Sequence, residues 1–117
     1  MANYQSDVRE VFQALADPTR LAVIGRLARG PQAVSELAKP FDMALPSFMK
    51  HLAVLEKADL VSTSKAGRTR TCHMRPEAMR EAASWLEEQR AIWEARTVRL
   101  ADYAENLAQT EKANERQ

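Results

Sequence analysis

Hydrophobic residues recur along this chain first at helical spacing, then at strand spacing, then at helical spacing again. Near the N-terminus, "DVREVFQAL" puts Val8, Val11, Phe12 and Leu15 on one side of a short helix that Ser6 can cap. The next helix is sharply punctuated in "ALADPTRLAVIGRLARGP": Asp17 is its N-cap, Pro18 its first residue and Gly30-Pro31 its stop. Its apolar stripe reads as Leu21, Ile24, Leu27 and Ala28. "VSELAKPF" forms a short third helix that ends before Pro40. A fourth runs from about Leu45 to Lys57, since Pro46 suits only a first turn. There Phe48, Leu52 and Leu55 follow the i, i+4, i+7 rule and face inward. Ser47, Lys50 and His51 are left outside, with Met49 at the margin.

The pattern then changes. "LVSTSKAGRTRTCHM" is rich in β-branched residues and predicts a two-stranded hairpin reversing at Ala66-Gly67, with Lys65, Arg68 and Arg70 around its tip. From Pro76 the chain is helical again, with a break expected near Ser84, where Ser84 and Glu87 offer a capping box. Leu86, Trp93, Leu100 and Leu107 recur at intervals of seven, with Trp85, Ile92 and Tyr103 beside them. Packing on a second copy is the economical way to cover that stripe, and an intrachain core helix is the alternative. The polar tail "QTEKANERQ" reads as frayed.

Two helices joined by the short turn "KPFDMA", followed by a basic hairpin, make a winged helix-turn-helix. The fold class is therefore mainly α, with a two-stranded hairpin wing and a long C-terminal helix. A chain of 117 residues fits one domain. Within it, about 6–75 form the helix-turn-helix core and wing, about 76–109 a helical dimerisation region, and 110–117 the tail.

Charge sharpens this picture. The net charge is only +1, yet residues 39–75 hold seven Lys/Arg against three Asp/Glu, and residues 76–117 six against nine. The basic excess sits where the helix-turn-helix and the hairpin lie, and charge alone leaves a solvated face and an anionic partner about equally open. No apolar run is long enough for a membrane span, no secretory signal is evident, and the single cysteine suits a reducing cytoplasm. No Ser-His-Asp set and no phosphate-binding glycine loop point to an enzyme.

The segments "LADPTRLAVIGRLARGP", "VSELAKPF", "LPSFMKHLAVLEKADLV" and "KAGRTRTCHM" resemble the ArsR/SmtB family of bacterial repressors. "ADPTR" and "KHLAVLEKADLV" are the specific parts, and the resemblance covers about residues 6–76. It implies a homodimeric winged-helix repressor that binds double-stranded operator DNA and releases it on sensing a signal. Helix four is then the recognition helix and the hairpin the wing. The terminal helices form the dimer interface, through Val8, Val11, Phe12, Trp85, Leu86, Ile92, Trp93, Leu100, Tyr103 and Leu107. The effector, small molecule or protein, is not named by any residue.

The wording is similar to the branch of the family that lacks its metal ligands. "SELAKPF" has no cysteine, the C-terminal helix has no histidine, and Cys72 and His73 point to opposite faces of a strand. No metal and no cofactor are expected.

For the DNA face, Lys50, Lys65, Arg68 and Arg70 are the leading phosphate contacts, with Lys39 and Lys57 peripheral. Ser47, Lys50 and His51 are candidates for base reading, although His51 is as well suited to bonding within the protein. Met49 and Leu45 either touch thymine methyls or pack back on the protein, and Ala44 forfeits the usual Ser/Thr cap. Arg20 reads as a brace for the fold, Cys72 as a small core residue rather than a thiol sensor. A winged-helix module that docks on proteins without reading DNA is the competing function.

Overall fold

The computed structural model describes residues 4–115, with side chains from Val8 onward. Five helices and three strands follow in the order α1 (Tyr4–Leu15), α2 (Pro18–Leu27), β1 (Gln32–Ala33), α3 (Val34–Ala38), α4 (Leu45–Lys57), β2 (Val61–Ala66), β3 (Thr69–Met74) and α5 (Pro76–Glu115). Contacts divide the chain into two compact units, Met1–Ala83 and Ser84–Gln117.

The first unit has one core. Val11 and Ala14 come from α1, Val23, Ile24 and Leu27 from α2, and Val34 and Leu37 from α3. Phe48, Leu52 and Leu55 enter from α4; Leu60, Val61 and Cys72 enter from the hairpin, and Ala82 from the first turns of α5. Phe41, in the turn before α4, stacks on Phe48 with ring centroids 5.4 Å apart.

α4 has the bounds and the inward face expected of it, and the chain leaves it through a Schellman motif. Asp59 N–H donates to the Glu56 carbonyl at 3.0 Å, and Leu60 N–H to the Leu55 carbonyl at 3.0 Å. Asp59 takes a left-handed φ of 59°, a conformation that Asp accepts more readily than most residues. Leu60 is thereby driven into the core, and its carbonyl accepts from Arg75 N–H at 2.9 Å, closing the base of the hairpin.

Several expectations are corrected. α1 already begins at Tyr4, so Ser6 lies inside the helix and not at its cap; its side chain is outside the described residues. Val8 and Val11 are sealed in the subunit's own core at 4% and 1% exposure, so they have no surface to give a second copy. The inward face of α2 is Val23, Ile24 and Leu27, while Leu21 is 54% exposed and Ala28 is exposed too. The wing gains a third strand: β1 pairs antiparallel with β3, Gln32 opposite Cys72 and Ala33 opposite Thr71, giving the order β1-β3-β2. The hairpin reverses at Gly67-Arg68, with Ala66 opposite Thr69. Gly67 holds a φ of 63° at the first central position, where a β-carbon is disfavoured.

In the second unit α5 is helical through Ser84, where a break was expected, and on to Glu115, where fraying was expected; Arg116 and Gln117 lie outside the described residues. No residue from Ser84 to Glu115 is fully buried. Leu86, Ile92, Trp93, Leu100, Tyr103 and Leu107 are about half exposed or more. With half-buried Trp85 they fall within roughly a third of the helix circumference at about 3.6 residues per turn. Arg90 bridges Glu87 and Glu94 on the same helix, and Arg96 lies 6.0 Å from the ring centre of Trp93.

The corrected face of α2 and the core face of α4 set a stability contrast. Leu55→Ala, at a side chain with no exposure, is expected to cost about 2–5 kcal/mol. Leu21→Ala should stay within about 0.5 kcal/mol. Urea unfolding followed by circular dichroism measures both, and similar losses would refute the assignment.

Candidate nucleic-acid interface

The helix-turn-helix is α3 and α4 with the turn between them, and the position of α4 is fixed from two sides. Its core face is Phe48, Leu52 and Leu55. One flank is tied to the start of α2 through the "ADPTR" segment. Asp17 Oδ2 caps α2 by accepting from Arg20 N–H at 3.0 Å, a bond that holds the Asp17 carboxyl below its usual range, with the Arg20 charge adding to it. The Arg20 guanidinium donates through Nε to the Ala14 carbonyl at 2.6 Å and through one terminal nitrogen to the Gln13 carbonyl at 3.4 Å. Its other terminal nitrogen lies 3.0 Å from His51 Nδ1. A guanidinium only donates, so Nδ1 accepts and the imidazole proton sits on Nε2. His51 is thus half-buried and committed at one nitrogen, with Asp17 Oδ2 3.7 Å from that same atom. Only its Nε2–H remains for a partner outside the protein.

The start of α4 is bare of capping groups. Ala44 stands at the N-cap with no side-chain hydrogen bond, and its carbonyl accepts from Ser47 N–H at 3.0 Å and Phe48 N–H at 3.1 Å. Leu45, Pro46, Ser47, Lys50, Ala53, Val54 and Lys57 are exposed along the outer side. Met49 is half-buried and packs against the core, whereas Leu45 stays 56% exposed. Of the two apolar residues that sequence left undecided, Met49 packs back and Leu45 faces out.

The other flank of α4 looks toward the wing. Between α3, the start of α4 and β3 lies an open concavity of about 700 Å³. Val34, Ala38, Leu45 and Met49 line it with apolar surface; Arg68 and Arg70 line it with charge, Ser35 and Thr69 with hydroxyls. Lys50, Lys57, Lys65, Arg68 and Arg70 are all exposed, and none has a hydrogen-bond or ion-pair partner among the described residues. Arg20, Arg26 and Arg75 of the same unit are committed to protein partners, as is Lys39, 2.9 Å from Glu36 Oε1. The cations of α4 and the wing therefore face solvent with their donors unused.

Both sensor candidates of the hairpin are occupied structurally. His73 Nε2 lies 2.7 Å from Ser62 Oγ, its directly paired neighbour across the strands. Cys72 is fully buried, and burial, with the Glu56 charge adding to it, pushes its thiol up to about 11. Among the described residues no three His, Cys, Asp or Glu side chains gather as a metal cluster would require.

A helix-turn-helix with a free basic outer face, joined to a hairpin carrying further free cations, defines a winged-helix protein of the nucleic-acid-binding type. Comparison with known proteins makes this specific. Residues 15–63 match the model of a family described as a helix-turn-helix domain. The chain is 45% identical over 76 residues to the HTH-type transcriptional regulator Rv2034 of Mycobacterium tuberculosis, covering 65% of this chain and 70% of that relative. A crystal structure of an ArsR family transcriptional regulator is 57% identical, with a TM-score of 0.74 over 80% of this chain and 97% of that one. A homodimeric winged helix-turn-helix DNA-binding domain from Mycobacterium bovis, solved by NMR, superposes with a TM-score of 0.59 at 26% identity, over 75% of this chain and 83% of its own. The chain belongs to the ArsR family of helix-turn-helix transcriptional regulators.

A thiol of this burial should be inert in the folded protein. Iodoacetamide at pH 7.5 is expected to leave Cys72 unmodified by mass spectrometry until denaturant is added; rapid alkylation without denaturant would contradict its place in the core.

Proposed function

We propose that this regulator acts as a homodimeric repressor on an inverted-repeat operator, with α4 in the major groove and the β2–β3 hairpin as the wing. The observation that carries the reading is that Lys50, Lys65, Arg68 and Arg70 lie exposed and unpartnered together on those two elements. Each would meet a phosphate and release counterions, a source of affinity that does not depend on sequence. Ser47 and Lys50 are the polar side chains best placed for base edges. His51 would add at most the donor on Nε2, since Nδ1 is held by Arg20. Lys57 joins the basic set with its donors free, whereas Lys39 has Glu36 beside it.

The dimer reading rests on α5. Leu86, Ile92, Trp93, Leu100, Tyr103 and Leu107 make a continuous apolar face on a single chain, with Trp85 at its edge, and a second copy would cover it. Phe12 on α1 is half-buried and packs against the core, whereas Val8 and Val11 are buried outright. Two copies place recognition helices in successive major grooves, with half-site centres about 34–36 Å apart. On this reading all 117 residues serve one function, with 84–115 as the dimerisation region. Among the described residues no helix is long and apolar enough to cross a membrane. As a DNA-bound regulator the protein is placed in the cytoplasm, with no catalytic role. Release of DNA by an effector, small molecule or protein, completes the proposal.

Two experiments test it. On a duplex selected from a random pool, the Lys50→Ala/Arg68→Ala/Arg70→Ala protein should bind more weakly. Its slope of log affinity against log salt should be shallower by about 5, from six lost phosphate contacts per dimer at about 0.9 each. Wild-type binding by the triple variant would refute the site. In sedimentation equilibrium, Leu100→Glu should convert a dimer to the 13.2-kDa monomer, and an unchanged mass would refute the α5 interface.

A further inference from the structure

We infer that Leu45 reads the 5-methyl group of a thymine in each half-site, which makes it a specificity-determining residue of the DNA face proposed above. A lone exposed leucine is ordinary on a protein surface. Leu45 is not alone: it is 56% exposed at the mouth of the concavity beside the wing, with Met49, Ala38 and Val34 continuing its apolar surface inward. Two guanidinium groups, Arg68 and Arg70, line the same concavity and have no partner among the described residues.

An occupant that suits this surface must offer an anion and an apolar group within one side-chain length of each other. A thymidine nucleotide offers both, the phosphate and the methyl. Along the major-groove edge of duplex DNA the thymine methyl is the apolar group a leucine can cover. Leucine can neither donate nor accept a hydrogen bond, so pressing it against the polar edge of another base would desolvate that edge without compensation. Leu45 therefore selects by covering a methyl or by excluding a polar base. Met49, half-buried against the core, lines the same concavity.

The test uses the full chain and the duplex it enriches from a random pool at low salt. Each thymine is replaced singly by uracil, which deletes only the methyl, and binding is measured for wild type and for Leu45→Ala. At one thymine per half-site, uracil should weaken wild-type binding about fourfold, the value of one buried methyl-sized group. Leu45→Ala should bind thymine and uracil duplexes equally at that position, with an unchanged melting temperature. If wild type shows no uracil penalty, or Leu45→Ala keeps the same penalty, the inference is wrong while the DNA-binding reading stands. A pool that yields no enriched duplex overturns that reading and the inference together.

Discussion

The guanidinium of Arg20 is the contact on which the geometry of the DNA-facing unit turns. It donates to the Ala14 and Gln13 carbonyls, which end α1, and to His51 Nδ1 on α4, while its own backbone N–H is capped by Asp17. Three helices meet at one side chain. The last carbonyls of α1 and the first N–H groups of α2 would otherwise need water or another cap. Only a planar, permanently charged fork can reach two carbonyls and an imidazole at once, which a lysine ammonium on a flexible stem would do poorly. The "ADPTR" wording has this physical content: Asp caps, Pro starts the helix, and Arg turns back to fasten the previous helix and α4.

Fixing one flank of α4 in this way leaves the rest of its circumference free for other work. Its core face seals the domain, its outer side carries Ser47 and Lys50, and its remaining flank opens on the wing concavity. The Schellman turn at Asp59 then sets the direction in which the hairpin departs, and Arg75 ties the far strand back through its bond to Leu60. Helix start and helix end are treated unequally. The end is closed by the Schellman bonds to the Leu55 and Glu56 carbonyls, whereas the start has an alanine cap that contributes no side-chain acceptor. A polar cap would place a hydrogen-bonding group beside Leu45; alanine keeps that corner apolar, at a cost of about 0.5–2 kcal/mol in helix stability.

Much of this architecture was legible in the sequence because its signals are local. Pro46 and the Phe48–Leu52–Leu55 spacing define α4, and Asp17-Pro18 defines the start of α2, without reference to anything distant. The misreadings share a cause, which is tertiary context. Leu21 and Val23 are both apolar and on different sides of α2, so only the neighbours of that helix decide which is buried. β1 is two residues long and has no periodicity of its own; its existence depends on β3 passing alongside. Val8 and Val11 looked like interface because a sequence cannot say whether an apolar face is covered by its own chain or by another. For His51 both a base-reading role and a bond within the protein stayed open for the same reason, since its partner Arg20 lies 31 positions away. Leu45 and Met49 are equally apolar, and the choice between them rested on which one the core had room to hold.

The two units differ in what holds them. The first unit contains a closed core, with Leu37, Phe48, Leu55, Leu60 and Cys72 at 1% exposure or less. From Ser84 to Glu115 no side chain is sealed, and the helix carries surface pairs such as Arg90 with Glu87 and Glu94. Exposed pairs of that kind contribute only about 0.3–0.5 kcal/mol each, too little to stabilise a helix against its conformational entropy in water. The apolar face of that helix is the larger store of free energy, and it is realised only when something covers it. In the proposed dimer, then, folding of the second unit and assembly are one event, while the first unit keeps its reading surface whether or not assembly occurs. Assembly of the dimer would be governed by α5, and choice of operator by α4, through residues that do not overlap.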